Sequence, residues 1–198
     1  MRLVIVTGMS GAGKSTALKM LEDARYFCVD NLPIALVGKF VSLMATSQDE
    51  EVQNAAIGID ARSGRALEEL EVVLDRLKAE GHTFEILFLD ADDKVLVKRY
   101  KESRRSHPLA MTGRVDDGIR LERKKTEFLR NRADYIIDTT HLLTRELKKE
   151  LNNIFVDNGK FSNMMISVLS FGFKYGIPED CRPGTLMSAF LPNSVLCR

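Results

Sequence analysis

Apolar positions in this chain come as short unbroken runs that alternate with stripes spaced three and four residues apart. The runs are Leu3–Thr7, Tyr26–Asp30, Ala55–Asp60, Phe84–Asp90 and Asp134–Asp138, and they read as buried strands. The stripes predict helices at about 14–23, 33–44, from 63 to near Gly81, 92–102 and 143–156. Ile119, Leu121, Phe128 and Leu129 mark a further, basic helix. Pro33 suits a first helical position, and Ser63 and Thr144 suit helix caps. Strand and helix alternate from the start, which predicts a parallel sheet covered on both faces.

Two stretches break the rhythm. Thr46–Glu51 reads as a solvated loop, and residues 104–114 have no clear period. Residues 162–170 open another strand with nothing yet to pair with, so a domain boundary is expected near 157–159. That division gives a domain at 1–157 and the start of a second at 158–198.

Composition narrows the class without naming a partner. The 198 residues are 44% hydrophobic and 29% charged, ordinary for a globular protein, and the net charge is +1. That balance gives no global argument for nucleic acid or a membrane. Cys28, Cys181 and Cys197 are too few and too scattered for a disulfide framework or a zinc site. Cys28 reads as a small core residue, and His82 and His141 as surface turn residues. No signal-peptide pattern and no membrane-length apolar run is found. A cytoplasmic protein without membrane contact is expected.

The chemistry begins directly after the first strand. Gly8-Met9-Ser10-Gly11-Ala12-Gly13-Lys14-Ser15 fits G-x-x-x-x-G-K-[ST] at every fixed position, and Thr16 follows in the next helix. The glycines let the backbone curl so that successive N–H groups face phosphate oxygens, and the helix adds its positive end. Lys14 is placed to reach the β- and γ-phosphates, and Ser15 to hold Mg²⁺. The predicted fold class is α/β: a P-loop NTPase with a doubly wound, mainly parallel sheet and the beginning of a truncated second domain.

Asp30, Asp60 and Asp90 each end a strand run, where ligands of open α/β sheets bind. Each also suits a cap for the next helix. Asp90, after Ile86-Leu87-Phe88-Leu89, has the form of a second metal-binding motif and is assigned to the metal with Ser15. Asp60 has Arg62 two residues on, a pairing suited to gripping a nucleotide or a phosphorylated acceptor. Asp60 either contacts nucleotide with Arg62 or shares the metal with Asp90. Arg99, Arg104, Arg105, Arg114, Arg120 and Arg123 crowd around the irregular segment. Arg104, Arg105 and Arg114 suit a lid over phosphates, and Arg120 and Arg123 read as a solvated face. His107, before Pro108, reads as a loop residue rather than a ligand.

With these residues assembled, the chain resembles the RapZ/YvcJ family of bacterial nucleotide-binding proteins, the RNase adapter family. Beside the phosphate loop, the carriers are Tyr26-Phe27-Cys28-Val29-Asp30-Asn31-Leu32-Pro33, Asp60-Ala61-Arg62-Ser63, Arg104-Arg105-Ser106-His107-Pro108-Leu109 and Ser170-Phe171-Gly172-Phe173-Lys174-Tyr175-Gly176. The resemblance implies ATP binding at the phosphate loop, GTP binding with the segment Asp60, Ala61, Arg62 and Ser63, and hydrolysis of both. It also implies, for some members, delivery of small RNA to a ribonuclease, a role that belongs largely to a C-terminal domain. It holds to about Pro178, lapses over Glu179–Ala189, returns at Phe190-Leu191-Pro192-Asn193 and lapses again. That pattern predicts a shifted reading frame after about residue 178.

The expectation is an ATP- and GTP-binding protein with Mg²⁺ that hydrolyses nucleotide as the switch of a regulatory adapter. Lys14, Asp60, Arg104 and Arg105 are its catalytic candidates. Two rivals stand beside it: a small-molecule kinase using the same loop and an Arg-rich lid, and an RNA-binding adapter with nucleotide as a structural ligand. A homo-oligomer is left open.

Overall fold

A computed structural model describes residues 2–46, 54–60, 66–103, 106–110 and 113–156. Eleven elements follow in order: β1 (Arg2–Gly8), α1 (Lys14–Asp23), β2 (Phe27–Val29), α2 (Ile34–Thr46), β3 (Asn54–Gly58), α3 (Ala66–Ala79), β4 (Glu85–Asp90), α4 (Asp93–Ser103), α5 (Val115–Arg132), β5 (Tyr135–Asp138) and α6 (Thr144–Phe155). The five strands form one sheet in the order β2-β3-β1-β4-β5. Every neighbouring pair is parallel.

Strand β1 is central because both of its faces are apolar. Val4 and Val6 face a core completed by Leu18 and Leu21 of α1 and Leu147 and Leu151 of α6. Leu3 and Ile5 face the opposite core, with Val37 and Val41 of α2 and Leu70 and Leu74 of α3. The period of two along the strand thus feeds two cores at once. Each such fully buried aliphatic side chain contributes about 1.5–3 kcal/mol of transfer free energy. The order of strands reverses at β1, between β3 and β4. A crevice therefore opens beyond the carboxyl ends of these strands.

Several expectations change in detail. The second strand is shorter than its apolar run, and it lies at the sheet edge with Phe27 about half exposed. Tyr26 is instead a buried residue before the strand, its hydroxyl donating to Phe155 O at 3.1 Å. Asp30 and Asp60 follow their strands, whereas Asp90 is the last residue of β4. Pro33 precedes α2 and accepts from Leu36 N at 2.8 Å. Thr144 is the first residue of α6 and Leu143 is its cap. Glu146 Oε2 accepts from Leu143 N at 2.8 Å, because a residue one turn in reaches back more readily than Thr144 can. Cys28 is half-buried rather than central in the core, as an edge strand dictates. Ser63, the expected boundary near 157–159, the expected strand at 162–170 and the expected frame shift after about 178 lie outside the described residues. No helix among the described residues is long and apolar enough to cross a membrane.

Candidate functional site

The phosphate loop is shaped by what it packs against. Gly8 has φ +131°, and a Cβ there would lie 2.1 Å from Leu89 O, so β4 leaves room only for hydrogen. Met9 N donates to that same Leu89 oxygen at 2.9 Å. Met9 and Ala12 are buried and root the loop in the core, while Gly11 between them is exposed. Gly13, with φ 106°, is the left-handed cap from which α1 starts.

Lys14 folds back along the loop. Its Nζ donates to Gly8 O at 2.9 Å and Met9 O at 3.2 Å, and lies 3.9 Å from Asp60 Oδ1. Both charged side chains are nearly buried, at 11% and 13% exposure, which strengthens their attraction over that of a surface pair. Ser15 Oγ donates to Asp30 Oδ2 at 3.0 Å. Asp30 is held there by a close approach to β3. A Cβ on Gly58 would lie 2.7 Å from Asp30 Oδ1 and 2.6 Å from Leu18 Cδ1. The ends of β1, β2 and β3 thus bring Lys14, Ser15, Asp30 and Asp60 together.

Asp90 is engaged elsewhere, contrary to its expected place beside Ser15. Its carboxylate accepts from Ala91 N at 2.8 Å, Arg123 Nη1 at 3.0 Å and Arg130 Nε at 3.3 Å. Arg123 also binds Asp93 at 2.6 Å and Ala91 O at 2.8 Å, so it is not simply part of a solvated face. Two turns of α5 put Arg123 and Arg130 on one side, facing the end of β4, where they neutralise the carboxylate. Arg120 is exposed, as expected.

The far side of the loop is tied to α4 and β5. Arg99 donates to Gly11 O at 3.0 Å and to Thr139 O at 2.6 Å. Thr139 Oγ1 lies 2.9 Å from Ala12 O and 3.0 Å from Asp90 O. Thr139 carries no sequence signal beyond following a strand. His107 lies in a loop, as read from the sequence, yet it is fully buried and its Nε2 lies 3.1 Å from Glu122 Oε2. Glu122 is not among the candidates that the sequence singles out. Its signal was a carboxylate within the apolar stripe of α5, at the spacing Ile119, Glu122, Thr126, Leu129, all buried.

The cleft above these residues has a volume of about 890 Å³. Ser10, Gly11, Gly13–Thr16 and Asp60 line it together with Arg99, Tyr100, Ser103 and Ser106–Pro108. The size suits a nucleotide-sized ligand. Ala61, Arg62, Ser63, Arg104 and Arg105 lie outside the described residues.

The model of the RapZ-like N-terminal domain family matches residues 1–159. The chain belongs to this family. A protein named "Nucleotide-binding protein" from Lachnoclostridium phytofermentans is 63% identical over 180 residues, covering 91% of this chain and 63% of that protein. Another of the same name, from Agathobacter rectalis, is 56% identical over 194 residues, covering 98% of this chain and 66% of that one. The chain therefore spans a little under two thirds of the length of these relatives. Among solved structures, the shikimate kinase of Acinetobacter baumannii in complex with shikimate matches with a TM-score of 0.54 at 18% identity, covering 80% of this chain and 94% of that one. The shikimate kinase of Bacteroides thetaiotaomicron matches with a TM-score of 0.50 at 18% identity, over 77% and 97% of the two chains. The RapZ-like domain thus shares its fold with these two structures, in agreement with the α/β class read from the sequence.

Proposed function

We propose that this chain binds ATP or GTP with Mg²⁺ at the phosphate loop and hydrolyses it, as the nucleotide switch of a regulatory protein. The observation that carries the reading is Lys14, held at the loop carbonyls of Gly8 and Met9 beside Asp60. An incoming phosphate offers the ammonium a stronger, charged acceptor than two neutral carbonyls. The amides of the loop and the start of α1 supply the remaining positive field. Asp60, with Arg62 of the following segment, is assigned to contacting the nucleotide, and Arg104 and Arg105 to closing over it.

The residues present fit Mg²⁺. Ser15 and Asp30 offer hard oxygen donors 3.0 Å apart, with the Asp60 carboxylate on the neighbouring strand end. One or two protein oxygens plus phosphate oxygens suffice for this ion. When bound, Mg²⁺ neutralises charge on the phosphates. Asp30 replaces Asp90 as the carboxylate proposed to accompany Ser15, since Asp90 is committed to Arg123 and Arg130.

A second reading, phosphoryl transfer to a small molecule, is supported by the reach of the cleft to Tyr100, Ser103 and Ser106, a hydroxyl-bearing wall that suits a polar acceptor. Delivery of RNA to a ribonuclease is a proposal for family members of the relatives' full length. The deciding experiment is a titration with ATP and GTP, with and without Mg²⁺, followed by phosphate release. Saturable, Mg²⁺-dependent binding with phosphate release supports the switch. No binding of either nucleotide refutes it, and a phosphorylated small molecule in place of free phosphate selects the kinase.

A further inference from the structure

Two fully buried ionisable side chains face each other behind the phosphate loop: His107 at 0% exposure and Glu122 at 1%. Leu109 N donates to His107 Nδ1 at 3.2 Å. With Nδ1 accepting, Nε2 carries the ring proton and donates to Glu122 Oε2 at 3.1 Å. The other end of the same carboxylate holds Ser10. Glu122 Oε1 accepts from Ser10 Oγ at 2.6 Å, and both oxygens lie 3.1 Å from Ser10 N. One carboxylate therefore collects three donors, two from the phosphate loop and one from segment 106–110.

The fit around the pair is close. A Cβ on Gly118, one turn before Glu122, would lie 2.5 Å from His107 Nδ1 and 2.8 Å from Ala110 Cβ. Only glycine lets segment 106–110 seat on α5 at this distance. The Tyr100 ring covers His107 from α4, with centroids 5.0 Å apart. Ser106, His107 and Pro108 also form part of the lining of the cleft, as Lys14 does. A buried carboxylate is costly unless its acceptors are filled, and an apolar residue would pack the same space with less penalty.

We propose that Glu122 is a positioning residue that joins segment 106–110 to the phosphate loop through His107 and Ser10, so that this part of the cleft lining and the shape of the loop are set together. The use of that cleft for nucleotide rests on the function proposed above; the joint itself does not. A glutamine cannot replace Glu122, because one amide oxygen cannot serve three donors and the amide nitrogen would meet His107 Nε2–H.

The test is hydrogen–deuterium exchange of the nucleotide-free full chain, read by mass spectrometry. A change at His107 can reach the loop through Glu122 or through the Tyr100 ring, which packs on His107 and would lie 3.6 Å from a Cβ at Gly11, but only the Glu122 route depends on an N–H at position 107. His107→Leu should speed exchange in the peptide spanning residues 8–14 by about tenfold, the worth of one buried charge-assisted hydrogen bond. Exchange in α6 should stay at the parental rate. His107→Gln, which keeps an N–H for Glu122, should return the loop most of the way. Ser10→Ala reads the joint from the other end and should speed exchange in the peptide spanning 106–110. Parental exchange in the loop of His107→Leu would overturn the proposal. So would an equal rise in α6, or a His107→Gln protein no better than His107→Leu. Added ATP or GTP with Mg²⁺ that protects no peptide of the parent would count against the nucleotide reading alone, since the nucleotide-free comparison decides the joint.

Discussion

The Ser15 hydroxyl donates to Asp30 Oδ2 at 3.0 Å, joining the start of α1 to the end of β2. The bond crosses β3, whose Gly58 yields the space that Asp30 occupies. It moves the proposed metal carboxylate from β4 to β2. Asp30→Asn should therefore raise the Mg²⁺ concentration needed for nucleotide binding by about tenfold or more. Asp90→Asn should leave that titration unchanged and cost about 1–2 kcal/mol of stability, read as a lower melting temperature, given its partly exposed arginine partners. The opposite pattern in the two titrations would return the metal to Asp90.

Gly58 offers an independent handle on the same bond. A methyl group there meets Leu18 Cδ1 at 2.6 Å and Asp30 Oδ1 at 2.7 Å. Gly58→Ala should destabilise the fold by about 1–3 kcal/mol and weaken Mg²⁺ affinity as Asp30→Asn does. Thermal melts and Mg²⁺ titrations of the two variants check this, and a Gly58→Ala protein with parental Mg²⁺ affinity would separate Asp30 from the metal.

Lys14 sits on loop carbonyls and makes no contribution to either apolar core. Lys14→Ala should leave the circular dichroism spectrum intact and reduce nucleotide turnover by about 100-fold or more, as loss of a preorganised charge at the phosphates does. Parental turnover in this variant would place the reaction elsewhere.

Arg104 and Arg105 flank the segment that Glu122 anchors, and a lid acts mainly on charge developing in the transition state. Arg104→Ala and Arg105→Ala should each lower the rate of hydrolysis more than the affinity for nucleotide. Steady-state rates compared with equilibrium titrations test the split, and equal losses in both would make these arginines simple binding groups.

Cys28 supplies a prediction in pH. Burial, with a smaller push from the Glu22 charge, raises its thiol from 9.0 to about 11. The Sγ also donates to Leu18 O at 3.3 Å. The folded state thus holds the thiol proton more tightly than the unfolded state does. The resulting stability is fully present below about pH 9 and is lost as pH rises towards 11. At pH 8, alkylation of Cys28 in the native protein should be about 100-fold slower than in the unfolded chain, from the difference in thiolate fraction. Peptide-resolved mass spectrometry after iodoacetamide treatment measures it, and equal rates would contradict the shift.

The sequence by itself determined the elements and the phosphate loop, because both are local. A strand is legible from unbroken apolar runs, and a helix from a stripe at helical period. Leu3–Thr7 lies within β1, and α1 spans the residues expected for it. The loop is legible because glycine, lysine and serine at fixed offsets answer to the backbone and to phosphate alone. Tertiary structure decided which carboxylate meets which partner. Asp30, Asp60 and Asp90 look alike in sequence, each following an apolar run. The strand order and the facing helices send one to Ser15, one to Lys14 and one to two arginines. The link from Ser10 to Glu122 spans 112 positions, and His107 fills the space left by Gly118 on a different element. Such pairings depend on how helices lie against the ends of strands, a relation that period and spacing within one element do not carry.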